Sequence, residues 1–195
     1  MDHSVIRAMA RWPDVPAVYG WLSLDRRGRW CLRDEAVSHR GVSEFMNRNY
    51  HCTDDGRWYF QNGPQRVFVD LEYTPWIYTF DGSQSLIDHT GDSVGELRSA
   101  RIDEEGNLLL VSERGVGLLC DRDLAPVSDG FRFADGGVCG EDTIGNLMKG
   151  GAGAENEQIF LEWQGDRIEV EAIRRDRVAG NFGFTPRPRA PADDA

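Results

Sequence analysis

The stretch that decides the fold is WYFQNGPQRVFVDLEY, residues 58–73. Apolar side chains stand at every second position from Val67 to Tyr73, with Phe68, Asp70 and Glu72 between them. Such alternation is typical of a strand with one face in a core. The Asn-Gly-Pro sequence at 62–64 is typical of a tight turn, so these residues predict two paired strands joined by that turn.

The same pattern of strand, turn and strand recurs along the chain. The string Gly-Arg-Trp occurs at 28–30 and 56–58, each time after an aspartate-bearing turn, and a third version spans 103–110. Looser copies lie at 80–83, 129–133 and 163–168. Aspartate accepts hydrogen bonds from turn amides, and glycine adopts the positive φ that a tight hairpin needs. The sequence therefore predicts a mainly β fold: an antiparallel barrel or sandwich built from hairpins. An α+β fold with a large antiparallel sheet and a small propeller-like meander are the alternatives.

Two short helices accompany the predicted strands. Residues 4–11 and 42–49 place apolar side chains at helical spacing. We expect a single domain over residues 1–180 with a flexible loop near 149–156, where the sequence is rich in glycine. Residues 181–195 are rich in proline and charge and predict a disordered tail.

Composition narrows the classes of partner. The 195 residues carry a formal charge of −11, which disfavours nucleic acid and anionic membranes. No basic and apolar leader and no 18-residue apolar run is visible, and four scattered cysteines suit reduced thiols, so we expect a cytoplasmic protein. Lys149 is the only lysine beside many arginines, which is typical of a GC-rich bacterial genome.

Two resemblances bear on this interpretation. Residues 56–73 resemble a segment of uncharacterised conserved proteins of proteobacteria, and the resemblance extends over about the first two thirds of the chain. It implies a bacterial, soluble, β-rich protein and no particular function. Residues 53–58 are also similar to the Asp-box turns of sialidase-like propellers, but four blades of roughly 40 to 50 residues would leave no chain for the helices.

One candidate site is catalytic. Asp70 and Glu72 stand two positions apart on one strand, so both carboxylates are expected on the same face about 7 Å apart. Such a pair suits acid and base catalysis, which makes a hydrolase the alternative function. A solvent-facing strip of an amphipathic strand explains the same pattern.

The second candidate site binds a ligand. Amide and guanidinium side chains gather beside aromatic residues around the central turn, as they do in ligand pockets. The candidates are Trp58, Gln61, Asn62, Gln65 and Arg66. Turn chemistry explains Asn62 equally well.

No complete catalytic or metal signature is present. His51 and Cys52 are adjacent and point to opposite faces of an extended strand, and the glycines near 150 lack the context of a phosphate-binding loop. We therefore expect no metal and no cofactor. The sequence favours a non-enzymatic binding module for a small ligand or a protein partner, including a second copy of this chain, and leaves its activity unknown.

Overall fold

The computed structural model describes residues 1–149 and 158–191. The predicted loop near 149–156 therefore lies outside the described residues, apart from Lys149. By its internal contacts the chain divides into two compact units. Unit 1 comprises Met1–Pro75 and the described residues from Gly183 onward, and unit 2 comprises Trp76–Phe182. The single domain over residues 1–180 stays a prediction.

Unit 1 is a six-stranded sheet with two helices. Its elements in chain order are α1 (His3–Arg11), β1 (Val18–Leu24), β2 (Trp30–Leu32), β3 (Glu35–Ala36), α2 (Arg40–Arg48), β4 (Tyr50–Cys52), β5 (Trp58–Asn62) and β6 (Gln65–Leu71). The strand order is β3-β2-β1-β6-β5-β4. Both helices predicted from the sequence, at 4–11 and 42–49, are confirmed.

The core of unit 1 lies along the parallel pairing of β1 with β6. Leu22 stands opposite Val69 and Leu24 opposite Leu71, and all four side chains are buried. Burial of each such side chain contributes about 1.5–3 kcal/mol. This apolar seam joins the hairpin that contains β1 to the hairpin that contains β6.

Unit 2 holds an eight-stranded sheet. Its elements are β7 (Trp76–Phe80), β8 (Leu86–Asp88), β9 (Leu97–Ile102), β10 (Leu108–Ser112), β11 (Gly115–Leu119), a 3₁₀ turn (Asp121–Asp123), α3 (Ala125–Ser128), β12 (Phe131–Phe133), α4 (Glu141–Met148), β13 (Ile159–Trp163), β14 (Asp166–Ala172) and α5 (Arg175–Phe182). The strand order is β12-β13-β14-β9-β10-β11-β7-β8. No described helix is long and apolar enough to cross a membrane.

The predicted mainly β fold is confirmed, and one of its two sheets curls into a half-barrel. The sheets are mixed rather than purely antiparallel, because β1 pairs with β6, β7 with β11 and β9 with β14 in parallel. Hairpins are specified by neighbouring residues, whereas the way two hairpins join depends on distant apolar faces. Sheets of six and eight strands also differ from the four-stranded blades of the propeller alternative.

The turns share one geometry. In the turn Asp103–Asn107 the Asp103 carboxylate accepts hydrogen bonds from two turn amides at 2.9 Å, and Gly106 takes φ +82°. The turns that begin at Asp25, Asp81 and Asp88 repeat this arrangement. At residues 53–57 the acceptor is the Thr53 hydroxyl, so threonine takes the role that the sequence pattern assigned to aspartate.

Residues 183–189, which the sequence placed in the predicted tail, pack against the turn at 53–57 and against β6 within unit 1. Thr185 donates its amide to the Gly56 carbonyl at 2.9 Å, and Leu71 donates to the Pro186 carbonyl at 2.7 Å. Phe184 is buried. One apolar side chain and two backbone hydrogen bonds thus hold a segment whose composition alone suggested disorder.

Candidate functional site

The register of β5 and β6 decides which predicted ligand residues meet. Gln61 stands directly opposite Arg66, and Asn62 stands opposite Gln65. Directly opposed residues share a face of a sheet, and consecutive residues point to opposite faces. Gln61 and Arg66 therefore share one face, and Trp58, Asn62 and Gln65 project from the other.

Gln61 is an almost fully enclosed amide, 1% exposed. Its Nε2 donates to the Gly63 carbonyl at 2.9 Å, which fixes the orientation of the amide group. Within the described part of the chain, its buried Oε1 has no hydrogen-bond partner. A buried acceptor left in this state costs about 1–3 kcal/mol, so a donor that reached it would stabilise the protein.

Arg66 is the cation beside this amide. Its guanidinium carbon lies 4.9 Å from the centroid of the Tyr59 ring, and the side chain is exposed. Across residues 1–149 and 158–191, no acidic side chain forms an ion pair with Arg66. The guanidinium thus keeps hydrogen-bond donors available in a protein that carries 33 acidic residues.

Gln61 and Arg66 line a pocket of about 440 Å³ within unit 1. The volume falls in the range of about 300–1,000 Å³ that small-molecule sites occupy. The rest of the wall is formed by Met9, Trp12, Pro13, Val15, Ala17 and Pro64. The pocket therefore combines an apolar wall with one amide and one cation, and none of these lining residues is acidic.

The apolar wall comes from the end of α1 and the segment that follows. The Trp12 amide donates to the Ala8 carbonyl at 2.9 Å in the last turn, and Pro13 cannot continue the helix. Gln65 Nε2 donates to the Pro16 carbonyl at 3.2 Å and ties this segment to the β5–β6 hairpin. Trp12 remains 49% exposed at the pocket.

The hairpin turn forms another part of the wall. Gly63 takes φ +56° between the paired residues Asn62 and Gln65, so the loop has two central residues with the positive φ at the first. Glycine is favoured at that position, and Pro64 follows it. The turn predicted at 62–64 is confirmed, and it places Pro64 at the pocket.

The remaining ligand candidates have other surroundings. Trp58 packs on the Tyr50 ring with the centroids 4.8 Å apart. Asn62 is exposed, and Gln65 is engaged with the Pro16 carbonyl. Gln61 and Arg66 are thus the two sequence candidates that the structure brings to one pocket.

Asp70 and Glu72 are held by separate contacts. β6 ends at Leu71, so Glu72 lies just beyond the strand. Asp70 forms an ion pair with Arg189 at 3.2 Å, whereas Glu72 Oε2 accepts from the Arg26 amide at 3.2 Å. In the described residues, Asp70 and Glu72 are thus bound to different partners, Arg189 and the Arg26 amide.

Two of the cysteines, Cys31 and Cys120, have the environment of structural thiols. Cys31 and Cys120 are buried free thiols, whereas Cys52 is a free thiol at the surface. Burial raises the pKa of the Cys31 and Cys120 thiols, which lowers the fraction present as the nucleophilic thiolate at neutral pH.

The apolar wall was not predicted from the sequence. Met9, Trp12 and Val15 lie about 50 residues before the hairpin that they face. The sequence contains one local signal of this wall: the large aromatic residue Trp12 is followed closely by Pro13 and Pro16. Proline ends the helix, so Trp12 stays at the surface instead of in a helix interior.

Comparisons with known proteins agree with this fold. A DUF1285 family protein from Silicibacter pomeroyi DSS-3 has a similar structure, with 13% sequence identity over 82% of this chain and 85% of that chain and a TM-score of 0.52. A second, from Shewanella baltica OS155, has 18% identity over 54% of this chain and 91% of that chain, with a TM-score of 0.39. At 13% identity the likeness to the Silicibacter pomeroyi protein shows the fold alone.

The comparison with protein families covers more of the chain. No curated protein matches the chain. The model of the DUF2944 family matches residues 1–189, and the description of that family reads "Protein of unknown function (DUF2946)". This confirms the predicted resemblance to an uncharacterised family, and the chain belongs to the DUF2944 family.

Proposed function

We propose that this protein is a non-enzymatic binding module that holds a small ligand in the pocket between α1 and the β5–β6 hairpin. The observation that carries the proposal is the Gln61 amide, which is 1% exposed, lines the pocket and has a buried Oε1 with no partner in the described residues. A ligand donor would offset the cost of that acceptor.

The rest of the pocket supports the proposal. Its apolar wall offers surface for burial, and Arg66 adds one charged group. The hydrolase alternative has less support, because Asp70 and Glu72 are bound to different partners. A cytoplasmic location and a bacterial source remain part of the proposal, in keeping with the acidic, arginine-rich composition.

Fragment screening by NMR tests the proposal. We expect members of a diverse fragment library to shift the indole signal of Trp12 together with the backbone amide signals of Gln61 and Arg66. Binding of fragments elsewhere, with these signals unmoved, would refute the proposed site.

A pair of variants separates the pocket from the helix beside it. Ala17 lines the pocket and is exposed, so Ala17→Phe adds bulk to the pocket without disturbing the core. Ala10 is exposed on α1 and is not among the lining residues, so Ala10→Phe is the matched control. We expect Ala17→Phe to abolish the fragment shifts and Ala10→Phe to preserve them.

A further inference from the structure

We infer that the ligand is an amino-acid-like carboxylate: a small molecule with a carboxylate, an N–H group on the adjacent carbon and an apolar side chain. This inference rests on the proposed binding function and names the chemistry of its ligand. Three features of the pocket lead to it, and each specifies one part of the molecule.

The first feature is the unpaired cation. Arg66 forms no ion pair within the described residues, and no acidic side chain is among the residues that line the pocket. In a chain of net charge −11, an arginine with no carboxylate partner favours an anion from outside. The planar guanidinium matches the two oxygens of a carboxylate.

The second feature is the acceptor beside that cation. Gln61 stands directly opposite Arg66, so the Cβ atoms of the two residues are about 4.5–5.5 Å apart. Gln61 Nε2 is already engaged with the Gly63 carbonyl, which leaves Oε1 to accept from a ligand. A molecule that satisfies both residues needs an N–H donor close to its carboxylate.

The third feature is the apolar wall. Met9, Trp12 and Val15 line the same pocket as the two polar residues. Transfer of an apolar side chain to this wall removes apolar surface from water, which favours binding. A volume of about 440 Å³ suits a small molecule of this kind.

Calorimetric titration of the full chain with four matched probes tests each part of the inference. N-acetyl-L-leucine and L-leucine carry all three features, with an amide and an ammonium donor respectively. N-acetyl-L-leucinamide lacks the charge, and 4-methylpentanoate lacks the N–H group. We expect at least one of the first two to bind at least tenfold more tightly than both deficient probes. Preference for N-acetyl-L-leucine indicates an N-acylated ligand, and preference for L-leucine indicates a free amino acid.

Variants connect these preferences to their residues. Arg66→Gln is expected to remove the preference for N-acetyl-L-leucine over its amide, and Arg66→Lys to restore part of it. Arg98 is exposed on β9 in unit 2, so Arg98→Gln is the control that should leave every affinity unchanged. Gln61→Met is expected to remove the preference for the N–H group. Because that change reaches a buried side chain, the exposed Arg66 variants provide the test that does not depend on its folding.

Two failures are distinguishable. Equal affinity for the charged and uncharged probes, or a preference that survives in Arg66→Gln, would overturn the inferred ligand class. If binding of those probes is nevertheless lost in Ala17→Phe, the proposed pocket stands. If neither these probes nor any fragment perturbs Trp12, Gln61 and Arg66, the proposed function fails together with the inference.

Discussion

Replacement of Gly56 by alanine tests the packing of residues 183–189 on the turn at 53–57. Gly56 has φ +80° in the turn Thr53–Arg57, and a Cβ at this position would lie 2.1 Å from the Gly183 carbonyl oxygen. Its own carbonyl accepts the Thr185 amide at 2.9 Å. The substitution therefore strains the turn and displaces the segment that lies on it.

The expected loss follows from three contributions. The left-handed backbone costs alanine about 1 kcal/mol. Because the overlap is with backbone, no change of rotamer relieves it, and Gly183 must move. The movement breaks the Thr185 hydrogen bond, worth about 1 kcal/mol, and exposes part of Phe184, whose full burial is worth about 1.5–3 kcal/mol. We expect Gly56→Ala to lower the free energy of unfolding by about 3 kcal/mol.

Urea unfolding measures this loss, and hydrogen exchange locates it. The Leu71 amide donates to the Pro186 carbonyl of the segment, and the Thr185 amide of the segment donates to the Gly56 carbonyl. Both amides should exchange faster in Gly56→Ala. Gly91 has φ +93° at the same turn position with no atom within 4 Å of a Cβ, so Gly91→Ala should cost only about 1 kcal/mol. Equal losses in the two variants, with unchanged exchange at Thr185, would refute the packing of this segment.

Three further predictions concern unit 2. A Cβ on Gly117 would lie 2.3 Å from the buried Tyr78 ring, so Gly117→Ala should lower the free energy of unfolding by about 1–3 kcal/mol, measured in urea. Gly180 lies in a helix with open space around it, so the control Gly180→Ala should not lower the free energy of unfolding. Asp103 is fully buried and accepts two turn amides, so Asp103→Ala should cost about 2–3 kcal/mol and Asp103→Asn, which keeps one acceptor oxygen, should cost less. Lowering the pH from 7 to 5 should destabilise the protein through His89, and His89→Gln should reduce that dependence.

The direction of the pH effect follows from burial of the His89 imidazole. Its Nε2 is buried, although the residue as a whole is only half-buried, and its Nδ1 accepts the Ile77 amide at 3.4 Å. Burial lowers the pKa of His89 from 6.5 to about 3. Below pH 6.5 the unfolded chain binds a proton that the folded chain does not, so this group's contribution falls by up to about 1.4 kcal/mol per pH unit. An identical pH dependence in His89→Gln would contradict this assignment.

Local patterns predicted much of the fold. The Asp103 turn and the turn at 62–64 formed where aspartate or glycine was expected, and both predicted helices are present. The sequence did not predict which residue of each turn takes the positive φ. In the turn after Phe80 the residue with positive φ is Gln84 rather than Gly82, because the Asp81 carboxylate accepts from the amides of Ser83 and Ser85 and places the left-handed position between them.

In the candidate site, too, contacts within one hairpin followed from the sequence, whereas contacts between distant segments did not. Gln61 and Arg66 belong to one hairpin, and a two-residue turn is enough to set them opposite one another. The carboxylate pair is different, because the Arg189 partner of Asp70 comes from a segment 119 residues away. Sequence spacing specified where Asp70 stands on its strand and not what it contacts.

The sequence by itself determined the hairpins, their turns and the alternation that puts Gln61 and Arg66 on one face, because these follow from backbone geometry over a few neighbouring residues. Only the tertiary structure decided the parallel pairing of β1 with β6, and only it brought the wall containing Trp12 to the hairpin. Those arrangements bury apolar surfaces from distant parts of the chain, and their energy depends on shapes that meet only after folding.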